Sequence, residues 1–176
     1  MTENAENVRV GVVVGNPKPR SRTYQAALLV AERLSGVEPG LVVDVADLGA
    51  GLLDPADPAA SQAVEAVRGL DLLVVASPTY KATYTGLLKL FLDRFPSNAL
   101  SGVVAVPVML GAGPGHALAA EVHLKPVLSE LGASTPTRAL YLIDTAYDDP
   151  AVLDPWLDAW SGPVAAAVSA VAKTWP

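Results

Sequence analysis

Ala76-Ser77-Pro78-Thr79-Tyr80-Lys81-Ala82-Thr83-Tyr84-Thr85-Gly86-Leu87-Leu88-Lys89-Leu90-Phe91-Leu92-Asp93-Arg94-Phe95 decides how this chain is read. It continues the apolar run Leu72-Leu73-Val74-Val75-Ala76, which predicts a strand. It turns at Pro78 and restarts with Tyr84, Leu87, Leu88, Phe91, Leu92 and Phe95 at helical spacing, which predicts one apolar helix face over 84–95. Strand, turn and helix form the repeating unit of an open α/β sheet, where ligands sit at the carboxyl ends of strands. The small, hydroxyl and aromatic residues of this turn therefore occupy a position suited to binding.

The same alternation extends in both directions. Residues 1–7 read as a loose tail. Val8 to Val14 predicts a strand buried on both faces, followed by a loop with two prolines and a helix capped by Ser21. Leu41 to Val45 predicts a second strand, 47–60 a loop, and Ser61 to Leu70 a short helix. Val103 to Leu110 predicts a fourth strand in which Pro107, lacking an N–H, is expected at a bulge or near the strand end. A helix from about His116 to Leu131 contains Pro126, which should kink it. Leu140 to Ile143 is a fifth strand, and a terminal helix carries Leu153, Trp156, Leu157, Trp160, Val164, Val168, Val171 and Trp175. Five alternations imply right-handed crossovers in a parallel sheet, for which the order 2-1-3-4-5 is expected. The fold expectation is thus a flavodoxin-like three-layer sandwich in a single domain over 1–176. In that order the loops after Val14, Ala76 and Leu110 border one crevice.

Composition narrows the partners. The chain of 176 residues is 51% hydrophobic and 17% charged, which favours a deeply packed core. Its net charge of −6 argues against nucleic acid as a partner. Without cysteine it has no disulfide, thiolate metal site or Cys nucleophile. Its polar, acidic start is expected not to be a secretory signal, and each apolar run is interrupted before it could span a bilayer. The expectation is a cytoplasmic location. His116 and His123 are too few and wrongly spaced for a metal site, and Asp44, Asp47, Asp144, Asp148 and Asp149 read as solvated loop acids.

Chemistry concentrates in the loops. Gly15-Asn16-Pro17-Lys18-Pro19-Arg20-Ser21-Arg22-Thr23 holds three cations, no acid and two hydroxyls at a helix start, where free N–H groups and the helix dipole favour phosphate. It lacks Walker and Gly-x-Gly-x-x-Gly spacings, pointing to a terminal monophosphate such as that of FMN. The same residues also suit an ordinary N-cap with solvated cations. Ser77 to Thr83 offers Tyr80 as a flat partner for a ring, and equally reads as a plain turn. Gly111-Ala112-Gly113-Pro114-Gly115 permits close backbone approach, or forms a simple strand-to-helix turn.

Ser77-Pro78-Thr79-Tyr80-Lys81-Ala82-Thr83-Tyr84-Thr85-Gly86-Leu87-Leu88-Lys89 closely resembles the signature of NADPH-dependent FMN reductases, especially the branch serving alkanesulfonate monooxygenases. The opening strand with Gly15 and Ser21-Arg22-Thr23 resembles that family's phosphate loop, and His123-Leu124-Lys125-Pro126-Val127-Leu128 its fourth-helix segment. The resemblance covers about residues 8–145. It implies FMN in the crevice, with Ser21, Arg22 and Thr23 on its phosphate. It further implies Pro78, Thr79, Tyr80 and Lys81 along the isoalloxazine, with Gly111 and Gly113 beside it. Hydride would pass from NADPH to FMN without a catalytic side chain, and Arg20 or Lys18 could meet the NADPH 2′-phosphate. Near Glu121-Val122-His123 the chain holds one residue more than some relatives, which suggests a π-bulge near Val122. Leu90 points away from the apolar face of its helix, so a homodimer or homotetramer is expected, and a flavin-dependent monooxygenase is a candidate partner. Competing readings on the same scaffold are a quinone or azo-dye reductase with resident FMN, a flavodoxin-type electron carrier, and a flavin-free crevice serving a partner protein.

Overall fold

Alternating burial along the strands separates two cores. In β1 (Val10–Val14), Val10, Val12 and Val14 face one side, while Gly11 and Val13 face the other. The computed structural model describes residues 8–172, so the expected tail 1–7 and Trp175 lie outside the described residues. β1 is followed by α1 (Arg22–Ser35), β2 (Leu41–Asp44), α2 (Pro58–Arg68), β3 (Leu72–Pro78), α3 (Gly86–Leu92), β4 (Val104–Gly111), α4 (Lys125–Glu130), β5 (Leu140–Ile143) and α5 (Pro150–Ala172). The strands form one parallel sheet in the order β2-β1-β3-β4-β5, the flavodoxin-like order expected. α1 and α5 cover one face through Ala27, Val30, Leu153 and Leu157. α2, α3 and α4 cover the other through Val64, Phe91 and Leu128. No helix among the described residues is long and apolar enough to cross a membrane.

Several boundaries differ from the sequence reading, each for a local reason. β3 runs on through Ser77 and Pro78, which pair with Met109 and Leu110. The helix expected over 84–95 spans only Gly86–Leu92, because Thr85 is its N-cap and accepts from the Leu88 N–H at 3.1 Å. Phe95 lies beyond the helix and packs edge-on against Phe91, with ring centroids 5.3 Å apart. The loop expected over 47–60 contains 3₁₀ turns across Val45–Leu53, broken at Gly49 (φ 52°), and α2 already begins at Pro58 behind the Asp57 cap. Pro107 sits within β4, opposite Val75, rather than at a bulge or strand end. Ala105 N–H donates toward Ser134, so odd-numbered amides of β4 point toward the β5 side. Pro107 would share that side, and β5 first pairs one residue later, at Val108 with Leu140. The missing donor therefore removes no ladder bond.

The helix expected from His116 is divided. A 3₁₀ turn covers Pro114–His116 and a π turn covers Ala120–Leu124 before α4 begins. The Lys125 N–H reaches back to the Ala120 carbonyl, which forms the π-bulge expected near Val122. Pro126 lies directly after this π turn, at the beginning of the regular segment Lys125–Glu130.

At the amino ends of β1 and β3, Arg9 donates to Asp71 from its backbone N–H (2.8 Å), Nε (3.0 Å) and Nη2 (2.8 Å). These Arg9 hydrogen bonds hold the Asp71 carboxyl below its usual range, against the opposing effect of its partial burial. A depressed folded pKa stabilises above the unfolded carboxylate value and loses that stabilisation as pH falls through the folded one. Asp71→Asn is therefore expected to cost about 1 kcal/mol at neutral pH and to flatten the stability loss below about pH 4, measured by urea denaturation across pH.

Candidate functional site

The loops after β1 and β3 are joined at Gly15. Its N–H donates to the Ala76 carbonyl at 2.8 Å. Its own carbonyl accepts from Thr85 Oγ1 at 2.5 Å. Thr85 is buried, and its N–H donates to Ser77 Oγ at 3.1 Å. A Cβ on Gly15 would lie 2.3 Å from Leu88 Cβ, so the first loop meets α3 at a distance only glycine permits.

Within the first loop, buried Asn16 donates from Nδ2 to Thr23 Oγ1 at 3.0 Å, and its Oδ1 accepts from the Lys18 N–H at 3.0 Å. Ser21 caps α1 by accepting from the Tyr24 N–H at 3.3 Å. The amides of Arg22 and Thr23, in the first turn of α1, make no hydrogen bond among the described residues. This is the open donor arrangement that binds an anion. Arg20 is turned elsewhere. Its φ is 52°, and its backbone N–H and Nη1 both donate to Asp44 Oδ2, at 3.0 and 2.8 Å. Nη2 pairs with Asp47 at 2.8 Å, and the guanidinium lies 5.2 Å from the centre of the Tyr24 ring. Hydrogen bonds from Asp47 and Asp44 hold Arg20 more firmly protonated than usual.

In the second loop, the Thr79 N–H donates to the Leu110 carbonyl at 2.6 Å, while Thr79 Oγ1 is buried without a partner among the described residues. Tyr80 and Thr83 exchange backbone hydrogen bonds of 2.8 and 3.2 Å around Lys81 and Ala82. Both central residues have positive φ, 52° and 68°, as in the primed hairpin turns, and here neither is glycine. Such backbone costs about 1–2 kcal/mol per residue and points the turn outward. In the third loop, Gly111 faces Tyr141, whose hydroxyl would lie 1.9 Å from an added Cβ. That hydroxyl donates to the Gly113 carbonyl at 2.9 Å, and the Asp144 N–H donates to the Gly111 carbonyl at 2.9 Å.

These loops enclose a crevice of about 330 Å³ at the carboxyl edge of the sheet. Of the residues expected there, Ser21, Arg22, Thr23, Pro78, Thr79, Tyr80 and Gly111 line it. Arg20, Lys81 and Gly113 do not: Arg20 is held by acids, Lys81 is exposed at the hairpin tip, and Gly113 directs its carbonyl at Tyr141. Asn16, Lys18 and Asp144 also line it. Asn16 and Lys18 fall inside the loop already singled out. Asp144, expected to be a solvated loop acid, lines the crevice, and its position directly after β5 is the signal that it belongs with the other loops. A larger cavity of about 470 Å³ lies beside Leu53 and Leu90. The guanidinium in it, Arg94, is engaged by the Asp54 and Pro55 carbonyls at 2.8 and 3.2 Å, which leaves it a structural group.

The family model of NADPH-dependent FMN reductases matches residues 8–148. An FMN reductase (NADPH) from Escherichia coli is 34% identical, covering 81% of this chain and 76% of that relative. An NADH-dependent FMN reductase, SfnF, from Pseudomonas putida is 31% identical over 86% of each chain. Among solved structures, the apo form of the NADH:FMN oxidoreductase EMOB superposes with a TM-score of 0.80 at 30% identity, covering 93% of this chain and 90% of that one.

Gly15→Ala is expected to destabilise the fold by about 3 kcal/mol or more, since Leu88 and the α3 backbone cannot both retreat from the new methyl. Urea denaturation of the purified variant measures it.

Proposed function

Because the chain belongs to the NADPH-dependent FMN reductase family, we propose that the crevice between its three loops is its flavin site. The protein is an oxidoreductase of that family, with FMN and NADPH as its reactants. One observation carries the residue assignment. The open Arg22 and Thr23 amides and the unpartnered Thr79 hydroxyl belong to residues lining the same small crevice. The amides and the α1 dipole suit a phosphate, and a buried hydroxyl without a partner suits a polar edge of a ligand. The residues present therefore fit FMN.

When bound, FMN supplies the hydride-accepting ring, and the chemistry requires no acid or base from the protein. The chain's own contribution is orientation. Ser21, Arg22 and Thr23 hold the phosphate, with Lys18 adding positive charge at the mouth. Thr79 donates or accepts at the ligand edge, and Tyr80, half exposed, offers a flat wall. Gly111, lacking a side chain, leaves room for the Tyr141 hydroxyl behind the third loop. Arg20 is committed to Asp44 and Asp47, so Lys18, without an ion pair among the described residues, is the better candidate for the NADPH 2′-phosphate. Reduced flavin would pass to a flavin-dependent monooxygenase in the cytoplasm. Exposed Leu53 and Leu90, beside the larger cavity, would be covered in a homodimer or homotetramer.

FMN titration followed by flavin fluorescence is expected to show saturable binding. Ser21→Asp, which sets a carboxylate at the phosphate, should weaken it about tenfold or more; unchanged affinity would remove the phosphate assignment. Lys18→Ala should raise KM for NADPH about threefold or more while leaving KM for NADH in place, and equal effects on both would reassign the 2′-phosphate contact.

A further inference from the structure

We infer that Asp144 is a built-in competitor for the flavin phosphate, tuning how tightly the crevice discriminates FMN from unphosphorylated flavin. This rests on the reading of the crevice as the FMN site. Arg22 Nη1 donates to Asp144 Oδ2 at 2.9 Å, across 122 positions of sequence. Both residues line the crevice. Each is anchored on a fixed element: Arg22 opens α1, and Asp144 follows β5 with its N–H on the Gly111 carbonyl at 2.9 Å. The ion pair thus spans from the first loop to the far side of the crevice.

Arg22 is the only guanidinium among the described residues lining the crevice. A phosphate dianion at the start of α1 must share the Arg22 guanidinium with a carboxylate already bonded to that guanidinium. Asp144 therefore draws on the cation that would otherwise serve the phosphate alone, and it adds like charge at the phosphate. Both effects act on FMN and neither acts on riboflavin, which lacks the phosphate. The first loop contains the donors for tighter flavin binding, and Asp144 holds the affinity down. A flavin that must leave after reduction benefits from such a balance, whereas a resident group does not.

The test is a fluorescence titration of FMN and riboflavin against the wild-type protein, Asp144→Asn, Arg22→Gln and the double variant. Asp144 is part-exposed at the crevice, so removal of its charge leaves the fold intact; circular dichroism checks this. Asp144→Asn should bind FMN about threefold to tenfold more tightly, with riboflavin affinity unchanged. In the Arg22→Gln background the same change should give less than half that gain, because the shared cation is gone. FMN affinity that is unchanged or weakened in Asp144→Asn overturns the inference, as does an equal gain for riboflavin or a full gain without Arg22. Failure of the wild-type protein to bind either flavin would instead overturn the assignment of the crevice.

Discussion

The Thr85 hydroxyl against the Gly15 carbonyl is the contact on which the crevice depends. Thr85 does two things at once. It accepts from the Leu88 N–H to start α3, and it donates to the backbone that starts the first loop. With Gly15 also bonded to Ala76, the ends of β1 and β3 are fixed as one body. The order β2-β1-β3-β4-β5 places the sheet's reversal of winding between those two strands. The fold opens a groove there, and Gly15 lets α3 pack directly against the start of the first loop.

Charge is managed locally in an otherwise acidic protein. Two of the first loop's cations are bonded to acids delivered by other strands, Arg20 to Asp44 at the end of β2 and Arg22 to Asp144 directly after β5. The two pairs have different consequences. Asp44 is buried and binds both the Arg20 backbone and its guanidinium, so it fixes the shape of the loop. Asp144 is part-exposed and lines the crevice, so it acts on the charge a ligand meets. Lys18 supplies the remaining charge.

The π turn has its own support. Glu121, within it, and Lys125, directly after it, form an ion pair at 2.7 Å. Lys125 also donates to the Thr137 carbonyl, and Glu121 Oε2 accepts from the Ala139 N–H. Burial pushes the Glu121 carboxyl up, but the Lys125 and Ala139 hydrogen bonds outweigh it and hold the group below its usual range. The irregular segment after the third loop is thereby tied to the approach to β5.

What the sequence by itself determined was local: strand and helix alternation, the Ser21 cap, and the absence of a dinucleotide or Walker spacing. These depend on neighbours a few positions apart, where periodicity and backbone sterics act. Pro107 and the span of α3 were misread because their explanation lies across the sheet, in where β5 begins and in Thr85 serving Gly15. The tertiary structure alone decided which cations remain for a ligand. Arg20 and Arg22 look equivalent in the loop, but Asp44 and Asp144 approach from 24 and 122 positions away, and only folding brings those charges within bonding distance.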